Sequence, residues 1–241
     1  MEVSSLAFDA VVLSGGKSSR LGGTPKQSLV FQGQTLLERA VAAAAGAGLT
    51  VVVGDTDFLP NRPPVAQPLP AWPATLLTCR EEPRFAGPAA AIAAGLEALA
   101  AHHTRTGVGG GPPYTLVLAC DMPLASQAVA ALLDALGASM GRASGGVMAC
   151  AEDGRAQPLA GFYRTSELTK ACKALAARDA LVNGSVRALL ASLDVQLVTV
   201  PAGSTADVDT WDDVAALGIA AGNQHEGQDR HSGGTNVGGN S

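Results

Sequence analysis

The chain has 241 residues, of which 47% are hydrophobic, 15% are charged and 4% are aromatic. These proportions supply enough apolar side chains for one large core and exclude a highly charged, disordered chain. The net charge of −5 lacks the basic excess of a general nucleic-acid binder, and the few aromatic residues disfavour a protein that stacks on exposed bases.

Short apolar runs alternate with helical patterns over most of the chain. The runs that predict strands, several of them continuous rather than alternating, are 9–13, 50–54, 75–78, 115–120, 146–150, 159–163 and 195–200. The helices predicted between them are 36–45, 89–101, 126–136, 167–176, 186–193 and 211–217. Continuous apolar strands separated by helices are typical of sheets buried on both faces. The sequence therefore predicts an α/β fold, a three-layer sandwich around a mostly parallel, doubly wound sheet.

Two helix starts carry a recognisable capping pattern. Thr35 is followed three residues later by Glu38, and Thr210 is followed in the same way by Asp213. In a capping box the hydroxyl accepts from an amide of the first turn, and the acidic side chain reaches back to the amide of the first residue. We therefore expect helices to begin at these two threonines.

Three segments depart from the alternation. Residues 60–73 are rich in proline and predict an extended loop, 104–113 predict a flexible connection, and 222–241 are polar and glycine-rich. We expect one domain over residues 1–221, followed by a disordered tail at 222–241. The four cysteines lack the spacing of a zinc site or a disulfide framework, and no apolar stretch predicts a signal peptide or a membrane span. These features favour a cytoplasmic location.

The first predicted strand runs directly into a glycine-rich loop. The residues of this segment that we expect beside a bound phosphate are Gly15, Gly16, Arg20 and Lys26. Glycines let backbone amides approach phosphate oxygens, and the two cations can neutralise phosphate charge. The alternative is a glycine-rich turn that carries two solvated cations.

The loop fits neither of two better-known glycine motifs. A P-loop that ended in Gly16-Lys17-Ser18 would need glycine where the chain has Val11. No frame of residues 15–23 has the Gly-x-Gly-x-x-Gly spacing of a dinucleotide site. The spacing therefore excludes an oxidoreductase that binds a nicotinamide dinucleotide here.

Three aspartates are candidate ligands because of their positions next to predicted strands and helices. Asp121 comes directly after a continuous apolar strand, so we expect its carboxylate at the carboxyl edge of the sheet. A carboxylate repels a triphosphate unless a divalent cation lies between them, which makes Asp121 a candidate Mg²⁺ ligand rather than a helix cap. Asp207 and Asp209 are two residues apart and share a face if the backbone is extended. They either complete a magnesium shell or contact the acceptor, or they only complement a helix dipole.

The glycine-rich segment resembles a known family signature. Leu13-Ser14-Gly15-Gly16, then Arg20-Leu21-Gly22 and Lys26, are similar to the L-x-G-G-x-x-x-R-M-G-x-x-K of MobA-like nucleotidyltransferases, which include molybdenum cofactor guanylyltransferases. Three later segments match in the same order. Residues 118–123 resemble the family's "CDMP", 153–159 its "DGR-x-x-PL", and 207–213 its "D-x-[DN]-T-x-x-[DE]".

The resemblance implies a Rossmann-like nucleotidyltransferase fold and assigns roles to individual residues. An acceptor phosphate would attack the α-phosphorus of a nucleoside triphosphate and release pyrophosphate, with Mg²⁺ as cofactor. The catalytic residues implied are Arg20, Lys26 and Asp121, and the metal ligands are Asp121 and Asp209. The nucleotide contacts implied are Leu13, Ser14, Gly15, Gly16, Lys26, Gly54, Glu82 and Asp121, with Glu81 nearly as plausible as Glu82. The acceptor contacts implied are Gln157, Pro158 and Asp207.

Several alternatives remain at this point. GTP is the favoured nucleotide and molybdopterin the favoured acceptor. Pro25-Lys26-Gln27, however, resembles the "PKQ" of cytidylyltransferases that act on methylerythritol phosphate, and Gly54 stands where guanylyltransferases often have asparagine. A CTP-dependent enzyme that acts on molybdopterin or another phosphorylated acceptor is therefore the main alternative. A non-catalytic nucleotide-binding module is the second. We expect neither a nucleic-acid nor a membrane partner, and a monomer or weak homo-oligomer.

Overall fold

A mixed sheet of seven strands forms the centre of the molecule. The computed structural model describes residues 6–16, 21–54, 75–107, 109–138 and 145–219. The strands within them are β1 (Phe8–Ser14), β2 (Val30–Phe31), β3 (Gln34–Thr35), β4 (Thr50–Gly54), β5 (Leu76–Cys79), β6 (Tyr114–Ala119), β7 (Gly146–Cys150), β8 (Ala156–Arg164) and β9 (Val195–Thr199). The predicted loop 60–73, the predicted tail 222–241 and Arg20 lie outside the described residues.

Six helices alternate with these strands in the described part of the chain. They are α1 (Leu36–Ala43), α2 (Pro88–Thr106), α3 (Ala125–Ala138), α4 (Thr165–Ala176), α5 (Val186–Leu190) and α6 (Trp211–Ala216). Both predicted capping boxes are confirmed, at the starts of α1 and α6. Among the helices that the structure describes, none combines the length and the apolar character needed to cross a bilayer.

The order of the strands places a crevice at one edge of the sheet. That order is β5-β4-β1-β6-β8-β7-β9. All neighbouring pairs are parallel except those of β8, which runs antiparallel to β6 and to β7. The predicted mostly parallel sheet is therefore confirmed. The chain adds strands on one side of β1 and then crosses to the other, and such a switch opens a crevice at the carboxyl ends of the strands.

Alternate side chains of β1 contribute to two separate cores. Ala10 and Val12 pack in the cluster that includes α1 and α3, whereas Val11 and Leu13 pack in the cluster that includes α2, α4 and α5. Both faces of the sheet are thus covered by helices, which confirms the three-layer sandwich. A third cluster, the minor core, consists of Leu21, Leu29, Phe31, Leu36, Val208, Val214 and Ile219.

The hairpin of β2 and β3 is not among the predicted elements. Its two central residues, Gln32 and Gly33, have φ angles of 51° and 79°. Positive φ at both central residues is the geometry of a type I′ turn, which joins two strands with the correct twist. The Gln-Gly pair was the only local sign of this hairpin, because each strand is two residues long.

Strand β8 is longer than predicted and contains an irregularity. Its pairing with β7 shifts register between Met148 and Ala149, and Pro158 falls in the shifted stretch. Proline has no amide hydrogen, so it is tolerated where the ladder is interrupted. The carbonyl oxygen of Pro158 instead accepts a hydrogen bond from the Tyr163 hydroxyl at 2.7 Å.

Helix α2 lies so close to β1 that only glycine fits at one position. A Cβ on Gly95 would lie 2.6 Å from Cγ1 of Val11, a fully buried side chain that is stiff about χ1. We expect Gly95→Ala to lower the free energy of unfolding by about 1–3 kcal/mol, because overpacking outweighs the better helix propensity of alanine. Urea unfolding measures this change.

The matched control is Gly137→Ala in α3, where a Cβ would meet none of the described atoms within 4 Å. The higher helix propensity of alanine should there raise the free energy of unfolding by up to about 1 kcal/mol. A Gly95→Ala protein as stable as its parent would contradict the close packing of α2 on β1.

Candidate functional site

A cleft of about 450 Å³ opens at the carboxyl ends of β1 and β6. Its lining comes from segments that are far apart in the chain. The lining residues are Leu13, Gly15, Gly16, Lys26, Gln27, Glu81, Phe85, Gly87, Pro88, Ala91, Ala119, Cys120, Asp121, Leu159 and Asp209. The cleft therefore brings together the glycine loop, the lysine and three of the acidic residues that the sequence singled out.

The glycine loop is held by the strands on either side of it. The amide of Cys120 donates to the carbonyl oxygen of Leu13 at 3.0 Å, which extends the pairing of β1 with β6 by one residue. On the other side, a Cβ on Gly54 would lie 2.9 Å from the amide nitrogen of Gly15. Gly54 is not part of the cleft lining. Because it has no side chain, the end of β4 can pack directly against the backbone of the loop.

Lys26 is the centre of a charged cluster. It begins a short 3-10 helix, Lys26–Ser28, and its side chain is 20% exposed. The Nζ atom donates to Oδ2 of Asp121 at 3.1 Å and also to Oδ1 of Asp209. The two aspartates come from motifs that are far apart in sequence, so this contact exists only in the folded protein.

Backbone contacts fix the two aspartates. The amide of Val208 donates to the carbonyl oxygen of Asp121 at 2.9 Å, and the Val208 side chain is fully buried in the minor core. The Asp213 carboxylate that caps α6 accepts from the amide of Asp209 at 3.0 Å. Hydrogen bonds from Thr210 and from the Asp209 amide also lower the pKa of Asp213. Helix α6 thus holds the backbone that presents Asp209.

The charges in this cluster shift each other's pKa values. Burial raises the pKa of Asp121 and outweighs the lowering effect of the nearby Lys26 ammonium, and the charge of Asp207 raises it further. Burial by itself would lower the pKa of Lys26, but the hydrogen bond to Asp209 and the charge of Asp121 raise it overall. The ammonium is therefore stabilised by its two carboxylate partners.

The oxygen donors of the cleft fit a magnesium ion. Asp121 and Asp209 already converge on one cationic atom, and carboxylate oxygens are the protein ligands that Mg²⁺ prefers. In the described residues, no group of three or more His, Cys, Asp or Glu side chains forms a metal cage. Magnesium often takes one or two carboxylates and completes its shell with water and substrate phosphates, so the pair is sufficient.

The loop before α2 supplies a further carboxylate and an aromatic ring. Glu81 is 7% exposed and lines the cleft, whereas Glu82 is exposed and is not part of the lining. Oε1 of Glu81 accepts from the amide of Phe85 at 3.1 Å. Gly87, the N-cap of α2, and Pro88 line the cleft, so the start of that helix faces it. Because glycine has no side chain with which to cap the helix, this helix start is a candidate anion site.

The remaining predicted residues lie around the cleft rather than on its lining. Ser14 is buried, and Gln157 and Pro158 are half-buried on β8 beside the lining residue Leu159. Asp207 is half-buried and close enough to Asp121 to affect its pKa.

The lining residues outside the predicted site include Gln27 and Phe85. Gln27 follows Lys26 in the glycine-loop motif, so its place in the chain was a signal. Phe85 carries no motif, and the sequence offered only its position between an acidic pair and the Gly-Pro start of a helix.

Comparison with known proteins identifies a family and a set of similar folds. A family model described as the MobA-like NTP transferase domain matches residues 10–198. Molybdopterin-guanine dinucleotide biosynthesis protein A from Archaeoglobus fulgidus has a TM-score of 0.60 and 18% identity, over 87% of this chain and 96% of that one. Among curated proteins, no sequence matches the chain significantly.

Two further solved structures share the architecture. Rv0371c from Mycobacterium tuberculosis has a TM-score of 0.56 and 22% identity, over 89% of this chain and 98% of that one. The 2-C-methyl-D-erythritol 4-phosphate cytidylyltransferase from Thermus thermophilus has a TM-score of 0.55 and 21% identity, over 86% of this chain and 96% of that one. At these identities the likeness shows a common fold.

Removal of the Lys26 ammonium should lower the free energy of unfolding, because two neighbouring carboxylates would lose the cation that they share. Lys26→Met keeps most of the apolar stem but leaves Asp121 and Asp209 without the cation that they share. We expect the free energy of unfolding at pH 7 to fall by about 1–3 kcal/mol, with solvent access to Asp209 favouring the low end. Urea unfolding without added divalent cations measures the loss.

The double variant Lys26→Met with Asp121→Asn serves as the control. It removes one of the two carboxylate charges that the lysine contacts, at nearly constant volume, so it should recover much of the lost stability. A single Lys26→Met variant as stable as its parent would show that the ammonium does not stabilise the carboxylate pair.

Proposed function

The chain belongs to the MobA-like NTP transferase domain family, and on that premise we propose that it transfers GMP from GTP to the phosphate of molybdopterin. In this reaction an oxygen of the acceptor phosphate forms a bond to the α-phosphorus of the triphosphate. The bond between the α-phosphorus and the bridging oxygen breaks, and pyrophosphate leaves. Since the attacking phosphate is already ionised at neutral pH, no protein nucleophile or general base is required.

The observation that carries the proposal is the charged cluster of Lys26, Asp121 and Asp209 beside the glycine loop. In the described lining, one ammonium faces three carboxylates, counting Glu81, so a triphosphate needs additional positive charge to enter. When bound, magnesium would neutralise phosphate oxygens and stabilise the charge that develops on the leaving pyrophosphate. This supports Asp121 and Asp209 as its ligands.

Each protein group then has a positioning or electrostatic role. Lys26 donates hydrogen bonds to phosphate oxygens as it exchanges its carboxylate partners for the substrate. Gly15 and Gly16 are exposed at the cleft, and a Cβ on Gly16 would meet none of the described atoms within 4 Å, so phosphates can approach the backbone there. Transfer reactions of this kind depend mainly on alignment and charge stabilisation, which these groups supply. Arg20 is proposed to add a second cation to the triphosphate.

The buried carboxylate of Glu81 supports guanine as the base. Guanine presents two adjacent donors, N1–H and the N2 amino group, and a carboxylate accepts from both at once. Cytosine presents only its N4 amino group as a donor on the corresponding edge. A cleft whose lining includes the buried acceptor Glu81, and not the exposed Glu82, therefore favours GTP.

The acceptor would lie on the side of the cleft formed by β8 and the segment before α6. Leu159 lines the cleft there, next to Gln157 and Pro158, and the charge of Asp207 acts on Asp121. The similarity in fold to the Archaeoglobus fulgidus protein supports molybdopterin as the acceptor. We further propose that the protein acts in the cytoplasm as a monomer or weak homo-oligomer, with no nucleic-acid or membrane partner.

CTP-dependent transfer is the second candidate function. Pro25-Lys26-Gln27 resembles the cytidylyltransferase sequence, and Gln27 is buried and lines the cleft. A cytidylyltransferase is also among the structures of similar fold. Binding of GTP, CTP, ATP and UTP with Mg²⁺, measured by calorimetry, discriminates between the two. A preference for CTP would replace the guanylyltransferase proposal, and binding without pyrophosphate release would indicate a non-catalytic nucleotide-binding module.

Asp121→Asn should abolish most of the turnover while the protein remains folded. We expect the rate of pyrophosphate release with Mg²⁺, GTP and molybdopterin to fall by at least about 100-fold, because a metal-binding carboxylate becomes a neutral amide. A coupled pyrophosphate assay measures the rate, and circular dichroism verifies folding. Asp134→Asn, which removes an exposed carboxylate from α3, is the control and should retain full activity.

Glu81→Gln should weaken guanine recognition selectively. The glutamine oxygen can still accept from the Phe85 amide, but its amino group would face the guanine donors. We expect affinity for GTP to fall about 10- to 100-fold and affinity for CTP to change little. Calorimetry on Glu81→Gln and on the exposed control Glu82→Gln measures both, and equal losses for GTP in the two variants would remove Glu81 from base recognition.

A further inference from the structure

Phe85 has a backbone conformation that aromatic residues rarely adopt. Its φ angle is +63°, in the left-handed region that favours glycine, and the residue is 39% exposed and lines the cleft. A bulky residue at positive φ is a true outlier in backbone statistics, and such outliers persist where surrounding contacts enforce them. Glycine at this position would avoid the strain, so the phenyl ring is retained at a conformational cost.

The contacts around Phe85 show how it is held. Its amide donates to Glu81 at 3.1 Å, and the next amide, that of Ala86, donates to the carbonyl oxygen of Pro83 at 3.1 Å. The carbonyl oxygen of Ala86 accepts from the amide of Asn183 at 2.6 Å, which ties the loop to the segment before α5. These bonds fix the backbone on both sides of the ring and couple the ring to the Glu81 carboxylate.

The ring lines the cleft rather than a core. It belongs to none of the three apolar clusters that the described residues form, and one of its neighbours is the guanidinium of Arg84, 4.7 Å from the ring centre. Packing against an arginine does not require positive φ. A flat apolar surface at the rim of a cleft, adjacent to a buried acceptor, matches a nucleobase, which has a π face for stacking and an edge for hydrogen bonds.

We propose that Phe85 is the stacking platform for the nucleobase, so that residues 81–87 contact the base by its face through Phe85 and by its edge through Glu81. This inference rests on the proposed nucleotidyl transfer. Stacking on an aromatic ring is tolerant of base identity but grows with the area of the base. Phe85 therefore strengthens purine binding in particular, and its removal should narrow the preference for GTP over CTP.

The experiment separates the base from the phosphates. Calorimetry with Mg²⁺ compares GTP with inorganic tripolyphosphate, which has the triphosphate chain but neither the ribose nor the base. For Phe85→Ala we expect affinity for GTP to fall about 5- to 100-fold and affinity for tripolyphosphate to change by less than about twofold. Leu197→Ala, which removes an exposed apolar side chain from β9 outside the cleft lining, should bind both ligands like the parent.

Phe85→Gly distinguishes stacking from a structural role of the ring. Glycine relieves the positive φ, so it should be at least as stable as Phe85→Ala and yet lose the same affinity for GTP. Retention of GTP affinity in either variant would overturn the inference. If the parent protein binds neither GTP nor tripolyphosphate, the proposed function itself fails, and the inference fails with it.

A direct signature of stacking completes the test. In a background with Trp72→Phe and Trp211→Phe, the variant Phe85→Trp carries the single indole at the stacking position. Saturating GTP should strongly quench its fluorescence, whereas saturating tripolyphosphate should leave the emission nearly unchanged. Equal quenching by the two ligands would place the ring away from the base and overturn the inference.

Discussion

The ammonium group of Lys26 balances two carboxylates that lie 95 and 183 residues further along the chain. Partly buried charges are costly unless they are paired, so this contact requires three distant segments to meet at one point. The sheet satisfies the requirement by ending β1 and β6 side by side, which brings the glycine loop next to Asp121. The third segment is held in place by Val208. Its side chain is buried and its amide donates to the carbonyl oxygen of Asp121, which brings Asp209 to the same lysine.

The same ion cluster explains how one cleft can accept a highly charged substrate under the proposed function. Before binding, the carboxylates stabilise the ammonium, and the ammonium stabilises them. During binding, Lys26 exchanges its carboxylates for phosphate oxygens, and Asp121 and Asp209 become available as ligands for a divalent cation. Charge is thus redistributed among partners that are already in place. Little reorganisation is needed, which is the property that makes electrostatic stabilisation effective in an active site.

The sequence predicted the fold well because its signals are local or periodic. Continuous apolar strands, the spacing of helical faces and the capping boxes at Thr35 and Thr210 are all confirmed.

The antiparallel direction of β8 was not predicted, because strand direction depends on tertiary pairing and leaves no pattern in a short apolar run. Phe85 was missed for a related reason: a residue fixed by a non-repetitive loop at positive φ has no periodic signature. Likewise, no periodic pattern in the sequence distinguishes Glu81 from Glu82, and only the folded loop shows that Glu81 is the buried one.

The minor core has a consequence for the dynamics of the protein. It is small, and it joins the residues just after the glycine loop to the residues that support Asp209. Proteins open in cooperative units whose free energies reflect how much apolar surface each unit buries. Opening of the minor core and the short helix α6 would release both Lys26 and Asp209 while the seven-stranded sheet stays intact. Two groups of the cleft, Lys26 and Asp209, are therefore held by a small cooperative unit, and amide hydrogens there should exchange sooner than those of β1 and β6. The protein would lose its function through local opening before it loses its fold.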